Sequence, residues 1–552
     1  MLKTIKQNIL QWWNELDKKY FLGMLLFSSF VFFPLIGQRL TNAYDGMWTT
    51  AEYGAGGWEL SNGRWLWPVL NSLRFSIQLN PINAMACLTP VSLGVTLLRQ
   101  LFEKESGVRA SWLSWLAGAG YVSNVVVACY LSFAHQSPEF GVSFFLSVMA
   151  AYCAIRVEKM IVGIISGAVV LAMSLGLYQT NLASFCLVML AYFLLLLFRN
   201  EEKQKIREHI CRSLASAASG AVLYLLILKI TLWATGTAMA DYQGGADISV
   251  SGILKNLPSN VAKCYELFYR YFFGTLVKHN MLQETAAAFV LIFCVVGAAL
   301  ACRLVRLIRR KDWENTFYGT AALLVLPMMC TVFMVATSQA SFYIPMSGGL
   351  ALFLPVCFWL LDSSREGETA CDVFRKCWNK AEKALILLTA AAVVYGSVFI
   401  SAVDQQAMYE GRQATKELSD LIAQTLVSEG YYDNEIPVML VGNASSSPLF
   451  RTHELYHRAN PYARVGLFMA ETAGTIRFSW DAAFRDYTPI WLNLCDNKTY
   501  QELLETEEIA EMPTFPQEGS IRKMDGVLVI KVSEEYHLDA DWKNKMMSGE
   551  YD

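Results

Sequence analysis

The sequence predicts an α-helical, polytopic membrane protein that ends in a small α/β domain. Three observations lead there. Hydrophobic residues fill 54% of the 552 positions and charged residues only 17%, with a mean hydropathy of +0.32, far more apolar than a soluble chain of this size needs. The apolar residues gather in runs long enough to span a bilayer. Beyond about residue 404 the composition shifts to a mixed polar pattern.

The elements follow in order. Residues 1–19 carry Lys3, Lys6, Lys18 and Lys19, with Ile5, Ile9, Trp12, Trp13 and Leu16 at helical spacing. That pattern predicts an amphipathic helix lying on a membrane face, in contact with lipid. The first span, 20–38, is too long for a signal-peptide core and lacks a small-residue cleavage site, so it is read as retained. Further spans are predicted at 79–98, 111–131, 139–155, 160–176, 180–198, 213–233, 284–302, 316–336, 343–361 and 384–402, making eleven transmembrane helices within 20–403. In "SLGLYQTNLA" a tight turn or a re-entrant bend would interrupt the long run 160–198; Tyr178, Gln179 and Asn181 favour the turn.

Basic residues are retained on the cytoplasmic side of a membrane. With the N-terminus inside, the inner segments 1–19, 99–110, 156–159, 199–212, 303–313 and 365–383 hold 24 Lys and Arg, whereas the outer loops 39–78, 132–138, 177–179, 234–283 and 337–342 hold 7. This asymmetry predicts a multi-pass cell-membrane protein with a cytoplasmic N-terminus and an extracytoplasmic domain over 404–552. In that domain a helical stretch (Asp404 to Ser428) and the strand-like "PVMLVG" and "GVLVIKV" predict a compact α/β unit.

Composition also excludes function classes. A net charge of −3 with no polybasic block offers no field for nucleic acid. The thirteen cysteines are scattered, mostly in apolar runs, and none forms a C-x-x-C pair, so they read as small core residues.

Two outer loops are long enough to hold a site. The first, "QRLTNAYDGMWTTAEYGAGGWELSNGRWLWPVL", carries Asp45, Glu52, Glu59 and Arg64 among many Trp, Tyr and Gly residues. A desolvated carboxylate there can act as general base towards a hydroxyl, and an arginine can hold a phosphate through two parallel bonds. The bland alternative makes Asp45-Gly46 a turn, with Trp48, Trp58, Trp65 and Trp67 as an interfacial belt.

Asp45, the "NGRW" segment (Asn62 to Trp65) and "SLGLYQTNLA" (Ser174 to Ala183), in a chain of many spans, resemble the GtrII-like glucosyltransferases, membrane enzymes of the GT-C class. The resemblance covers roughly 20–400 in organisation and rests on short motifs. It implies a GT-C-like catalytic domain over 20–403 that transfers a sugar, expected to be glucose, from a polyprenyl-phosphate carrier to a cell-surface glycan acceptor on the outer face, with inversion. It further implies Asp45 as general base, Glu52 as the reserve acid, and Arg64 as the group that stabilises the leaving lipid phosphate. Some GT-C enzymes use a divalent cation and others do not; no His-rich or Asp-rich ligand set forces one here.

Weaker candidates surround these. His135 could bond sugar hydroxyls or be ordinary loop surface, and Tyr178 and Gln179 could face the same cavity or satisfy broken helix ends. Lys229, near the outer end of a span, could meet the carrier phosphate or snorkel to water. The second long loop, with an aromatic stripe, could roof a lipid-binding cleft with Asp241 near the cavity or simply pack onto the spans, and Tyr343 could stack on a sugar. A transporter or flippase of lipid-linked glycans is the alternative function; it would need charges deep in the bilayer or internal repeats. Finally, "HELYH" (His453 to His457) spells a zinc-peptidase signature, but no third-ligand extension follows, and a packing helix is the favoured reading with no metal assigned.

Overall fold

A computed structural model describes residues 14–42, 45–49, 52–103, 111–240, 250–273, 286–336, 342–364, 373–458, 465–466, 473–534 and 536. Most of the predicted 1–19 helix, and Asp241, lie outside them.

Among the described residues nine helices are long and apolar enough to cross a membrane: Ile82–Glu103, Trp112–Ser132, Ser137–Arg156, Met160–Leu177, Gln179–Phe198, Lys203–Thr235, Ala288–Arg309, Ile344–Ser363 and Lys380–Ser428. The chain is a multi-pass membrane protein. The other two predicted spans are helical but interrupted. The first divides into Lys18–Val31 and Phe33–Gln38, because Pro34 supplies no N–H and its ring disrupts the preceding turn. Gln405 repairs the break: its Oε1 accepts from Leu35 N–H at 3.1 Å and its Nε2 donates to Val31 O at 3.1 Å. A buried amide thereby satisfies backbone groups that lipid could not. The other runs as Trp313–Met329, with Pro327 in its last turn, followed by a short 3-10 turn, Val332–Val335. The "SLGLYQTNLA" segment is a tight turn: one helix ends at Leu177, Tyr178 is extended, and Gln179–Asn181 is a single 3-10 turn leading into Leu182–Phe198.

Segments predicted to share a side of the membrane meet one another. Arg99 pairs with Asp17 and with Glu103, and Arg303 pairs with Glu382 at 2.6 Å, all within or beside predicted inner segments. The predicted outer loops 39–78, 132–138 and 177–179 converge at the opposite ends of the same helices.

The last of these nine helices belongs to a longer one that crosses the predicted domain boundary without a break. Val373–Ser428 is one helix of 56 residues, about 84 Å long at 1.5 Å per residue, so it joins the membrane region to the C-terminal sheet as a continuous strut. That sheet has the order β1 (Val438–Val441), β3 (Val527–Lys531), β2 (Ile521–Met524); β3 runs parallel to β1 and antiparallel to β2. Both β1 and β3 are buried along their whole length, which is why "PVMLVG" and, apart from Lys531, "GVLVIKV" are continuous apolar runs rather than alternating ones; the buried Lys531 ammonium donates to Ala510 O and Met512 O. Leu440, Leu528 and Ile530 pack with Trp480 and Phe484 on one face. Met439, Val441, Val527 and Val529 pack with Tyr500 and Leu503 on the other.

Candidate active site

The first outer loop is pinned to the membrane helices before it presents Asp45. Asn42 N–H donates to Ser132 O at 3.1 Å, and Asn42 Oδ1 accepts from Gly46 N–H at 2.8 Å. A Cβ on Gly46 would lie 2.6 Å from Ser132 O, so only glycine permits this approach. The result is a short helix, Asp45–Trp48, with Asp45 in its first turn.

Asp45 keeps some exposed surface, yet protein crowds it closely enough that burial raises its carboxyl to about 7. Arg64 acts against that shift and Glu59 adds to it. A carboxyl poised near neutrality can both exist as the base and hold a proton once it has taken one.

Arg64 is positioned by the junction of two quoted segments. Gly63 has φ +78°, and a Cβ there would sit 2.5 Å from Tyr224 Oη and 2.8 Å from Gln179 Nε2. Glycine is therefore required for its conformation and for the close approach. Gln179 Nε2 donates to Asn62 O at 2.8 Å and to Tyr224 Oη at 3.1 Å, while Tyr224 Oη donates to Gly63 O at 3.1 Å. Leu66 N–H donates to Gly176 O at 2.9 Å, and the Trp65 ring leaves no room for a Cβ on Gly176. "NGRW" and "SLGLYQTNLA" thus clamp one another. The clamp sets the Arg64 guanidinium 4.7 Å from the Trp67 ring centroid and 5.5 Å from that of Tyr178, a favourable cation–π pair of contacts.

A second network backs Asp45. Glu59, 1% exposed, accepts from Gly56 N–H at 2.7 Å and from the Tyr53 hydroxyl. The Tyr53 hydroxyl pKa is driven up by burial and by Glu59. The Tyr53 ring meets the His135 ring edge-on at 4.6 Å. His135 is buried, with Nδ1 3.4 Å from Thr49 Oγ1. Burial, with Arg74 and Arg64 nearby, pushes its imidazole down to about 3, so it is neutral at physiological pH. Arg74 donates to His135 O at 2.6 Å and pairs with buried Glu139 at 2.7 Å.

Of the residues predicted from sequence, Arg64, Tyr178 and Gln179 are brought together by these contacts, and Asp45 and His135 lie near enough to Arg64 to feel its charge. Glu52 is not: its side chain is exposed, and its backbone forms a bridge with Ile77. Lys229 is exposed on a helix face shared with Leu225, Leu226, Ile230 and Trp233, as a snorkelling lysine would be. Tyr343 is half-buried where the Ile344–Ser347 turn begins. Sequence reasoning assigned no role to Glu59, Tyr53, Arg74, Glu139 or Tyr224. Two of them carried a local signal: Glu59 has helix-capping spacing from Gly56, and Glu139 is an acid in the first turn of a span.

Buried donors without a hydrogen-bond partner concentrate here: Arg64 Nε, Trp65 Nε1, Trp67 Nε1, Asn71 Nδ2, Arg74 Nε and Nη1, and Gln78 Nε2 fall within fifteen residues. Buried donors are rarely left unmade in a folded chain. Their concentration fits a site awaiting an acceptor-rich ligand such as a phosphate or a sugar. Among the described residues no group of three His, Cys, Asp or Glu side chains could hold a metal ion, and Glu59 is already committed to Tyr53 and Gly56.

The HELYH segment is built differently. His453 lies outside the five-residue helix Glu454–Arg458, so the two imidazoles do not share a helix face. Its N–H donates to Glu410 at 3.0 Å, His457 lies 3.4 Å from Thr452 Oγ1, and buried Tyr456 packs on Phe450.

A family model described as "Glucosyl transferase GtrII" matches residues 40–356. A solved structure of an archaeal oligosaccharyltransferase, AglB from Archaeoglobus fulgidus, in complex with an inhibitory peptide and a dolichol-phosphate, aligns over 84% of this chain and 69% of that one. The identity is 12% and the TM-score 0.35, a likeness too loose to carry an argument. No curated protein matches the sequence.

Proposed function

The chain belongs to the GtrII glucosyl transferase family, and from that premise we propose that it moves glucose from a polyprenyl-phosphate carrier to a glycan acceptor on the outer membrane face. Membership makes it a glycosyltransferase and sets aside a flippase as its primary activity. The observation that carries the mechanism is an Asp45 carboxyl that burial raises to about 7 against the opposing charge of Arg64, whose buried Nε has no hydrogen-bond partner.

Asp45 takes the proton of the acceptor hydroxyl as that oxygen attacks the anomeric carbon. The new C–O bond forms as the bond from the anomeric carbon to the phosphate oxygen breaks on the opposite face, and the electron pair leaves with the lipid phosphate. One displacement inverts the anomeric configuration. Arg64 stabilises the charge that grows on the phosphate, an effect strengthened where water is excluded. Trp67 and Tyr178 hold the guanidinium in place. Neutral His135 serves as a hydrogen-bonding wall rather than a proton carrier, and Glu59, by keeping negative charge beside Asp45, raises its basicity. The outer side for this site follows from the basic-residue asymmetry of the loops.

The test is transfer from radiolabelled polyprenyl-phosphate glucose by the purified full chain. Asp45→Asn is expected to lower turnover by roughly 10²–10⁴-fold without weakening donor binding. Unchanged turnover would remove Asp45 as the base, and a product of retained anomeric configuration would exclude the single displacement.

A further inference from the structure

The short Asp45–Trp48 helix has a second face. Met47 is buried in the apolar cluster of the C-terminal domain with Leu418, Ile422, Trp480 and Phe484. Trp48 Nε1 donates to Ser479 Oγ at 2.8 Å, and an Arg485 nitrogen lies 3.4 Å from Met47 O. The C-terminal domain is therefore docked on the residues that immediately follow the proposed base.

Beside this contact lies a cleft of about 530 Å³, within the ordinary size of small-ligand sites. Gly46, Met47 and Thr49 line it from the first outer loop, and Arg39, Arg412 and Arg485 line it as its cations, against one acid, Asp486. Arg485 is paired with Asp486 at 2.9 Å, and Arg412 donates to Gln38 O and faces the Tyr487 ring. Arg39 is exposed, and among the described residues its side chain makes no ion pair or hydrogen bond. Its backbone is left-handed, φ 53° and ψ 47°, at the C-cap of Phe33–Gln38, a conformation that disfavours a non-glycine residue. Gln78 also lines the cleft, and its buried Nε2 has no partner. Thr49 Oγ1 bridges the cleft wall to the site behind it, lying 3.4 Å from both Gln78 Oε1 and His135 Nδ1.

We propose that this cleft is the acceptor subsite and that its ligand is an anionic glycan, carrying a phosphate or carboxylate within reach of Arg39, Arg412 and Arg485. The inference rests on the reading of Asp45 as the base. Gly46, the residue after Asp45, lines the cleft, whereas Arg64 does not. An acceptor entering over Gly46 and Thr49 approaches that carboxylate from the C-terminal domain, while the lipid phosphate is held by Arg64. Planar guanidinium groups suit the bidentate recognition of both anions. The C-terminal domain then selects the acceptor, and the membrane helices bind the donor.

Binding of glucose 6-phosphate, glucuronate and glucose to the purified full chain in detergent tests this directly. Both anionic probes should bind at least about tenfold more tightly than glucose, since a hydrogen bond to a charged group is worth that much. Arg39→Gln should erase the preference and Arg39→Lys should retain part of it. Equal binding of the three probes, or a preference untouched by Arg39→Gln, would overturn the proposal. A second arm measures the KM for polyprenyl-phosphate glucose. If Arg39→Gln raises the donor KM, the arginines hold the lipid phosphate instead, and the acceptor assignment fails. Asp45→Asn separates the two readings: it should lower transfer by roughly 10²–10⁴-fold yet keep the anionic preference. Unchanged transfer in that variant defeats the base assignment whatever the probes show.

Discussion

The first outer loop and the His453–His457 segment pose the same question in opposite terms. HELYH matches a catalytic signature in every fixed position, whereas Asp45 and "NGRW" are short and individually unremarkable. In the structure the ranking reverses. The strong pattern straddles a helix start, with His453 exposed and its N–H already bonded to Glu410. The weak one is held by two close-approach glycines, with a carboxyl raised to about 7 and several buried donors without partners. A sequence signature specifies residue types at a spacing; chemistry needs those residues desolvated, oriented and left with bonds to make.

The comparison can be broken or sharpened in turn. The largest effect is expected on Asp45: Asn should cost roughly 10²–10⁴-fold in turnover, whereas the exposed Glu52→Gln should leave turnover within a few fold. A large loss in Glu52→Gln would return that acid to the mechanism. Arg64→Lys comes next. It keeps the charge but loses the planar stack on Trp67 and Tyr178, and turnover should fall by roughly 10²-fold, the scale of one removed transition-state donor. Steady-state kinetics should show the loss in kcat more than in donor KM.

A smaller but more diagnostic effect is the pH profile. As the proposed base Asp45 works deprotonated, so turnover should rise with pH through about 7 and level off above it. His135, held down to about 3, is neutral over that range. The acid limb should therefore survive His135→Gln; its disappearance in that variant would make the histidine the titrating group. The smallest effect is expected at HELYH. The paired change His453→Ala with His457→Ala should leave turnover unchanged and shift stability by no more than about 0.5 kcal/mol, as at ordinary surface positions. Thermal unfolding monitored with and without a zinc chelator would reveal a metal if one contributed.

Much of the helical architecture was legible because lipid imposes a simple rule: a spanning segment must be long, apolar and internally hydrogen-bonded. Nine predicted spans reappear as such helices among the described residues. The breaks at Phe32 and near Met329 were less legible, since apolar runs do not announce where a proline and a distant amide such as Gln405 trade backbone partners. The candidate site was legible in part. Asp45, Arg64, Tyr178 and Gln179 stood out through the family resemblance, but Glu59 and Glu139 were not assigned. Their importance comes from burial beside Tyr53 and Arg74, and the partners lie 6 and 65 positions away.

By itself the sequence determined a helical membrane protein, a terminal segment with two apolar strands, and a family resemblance resting on three short segments. Those features are written locally, in hydrophobic run length, strand composition and motif spacing. Only the tertiary structure decided that Gly63 must be glycine because Tyr224 and Gln179 press on it, and that Met47 is shared with the C-terminal core. It also decided that Arg39, Arg412 and Arg485 face one cleft. The physical reason is that close approach, desolvation and convergence of charge are properties of groups distant in the chain. They exist only once the helices have packed.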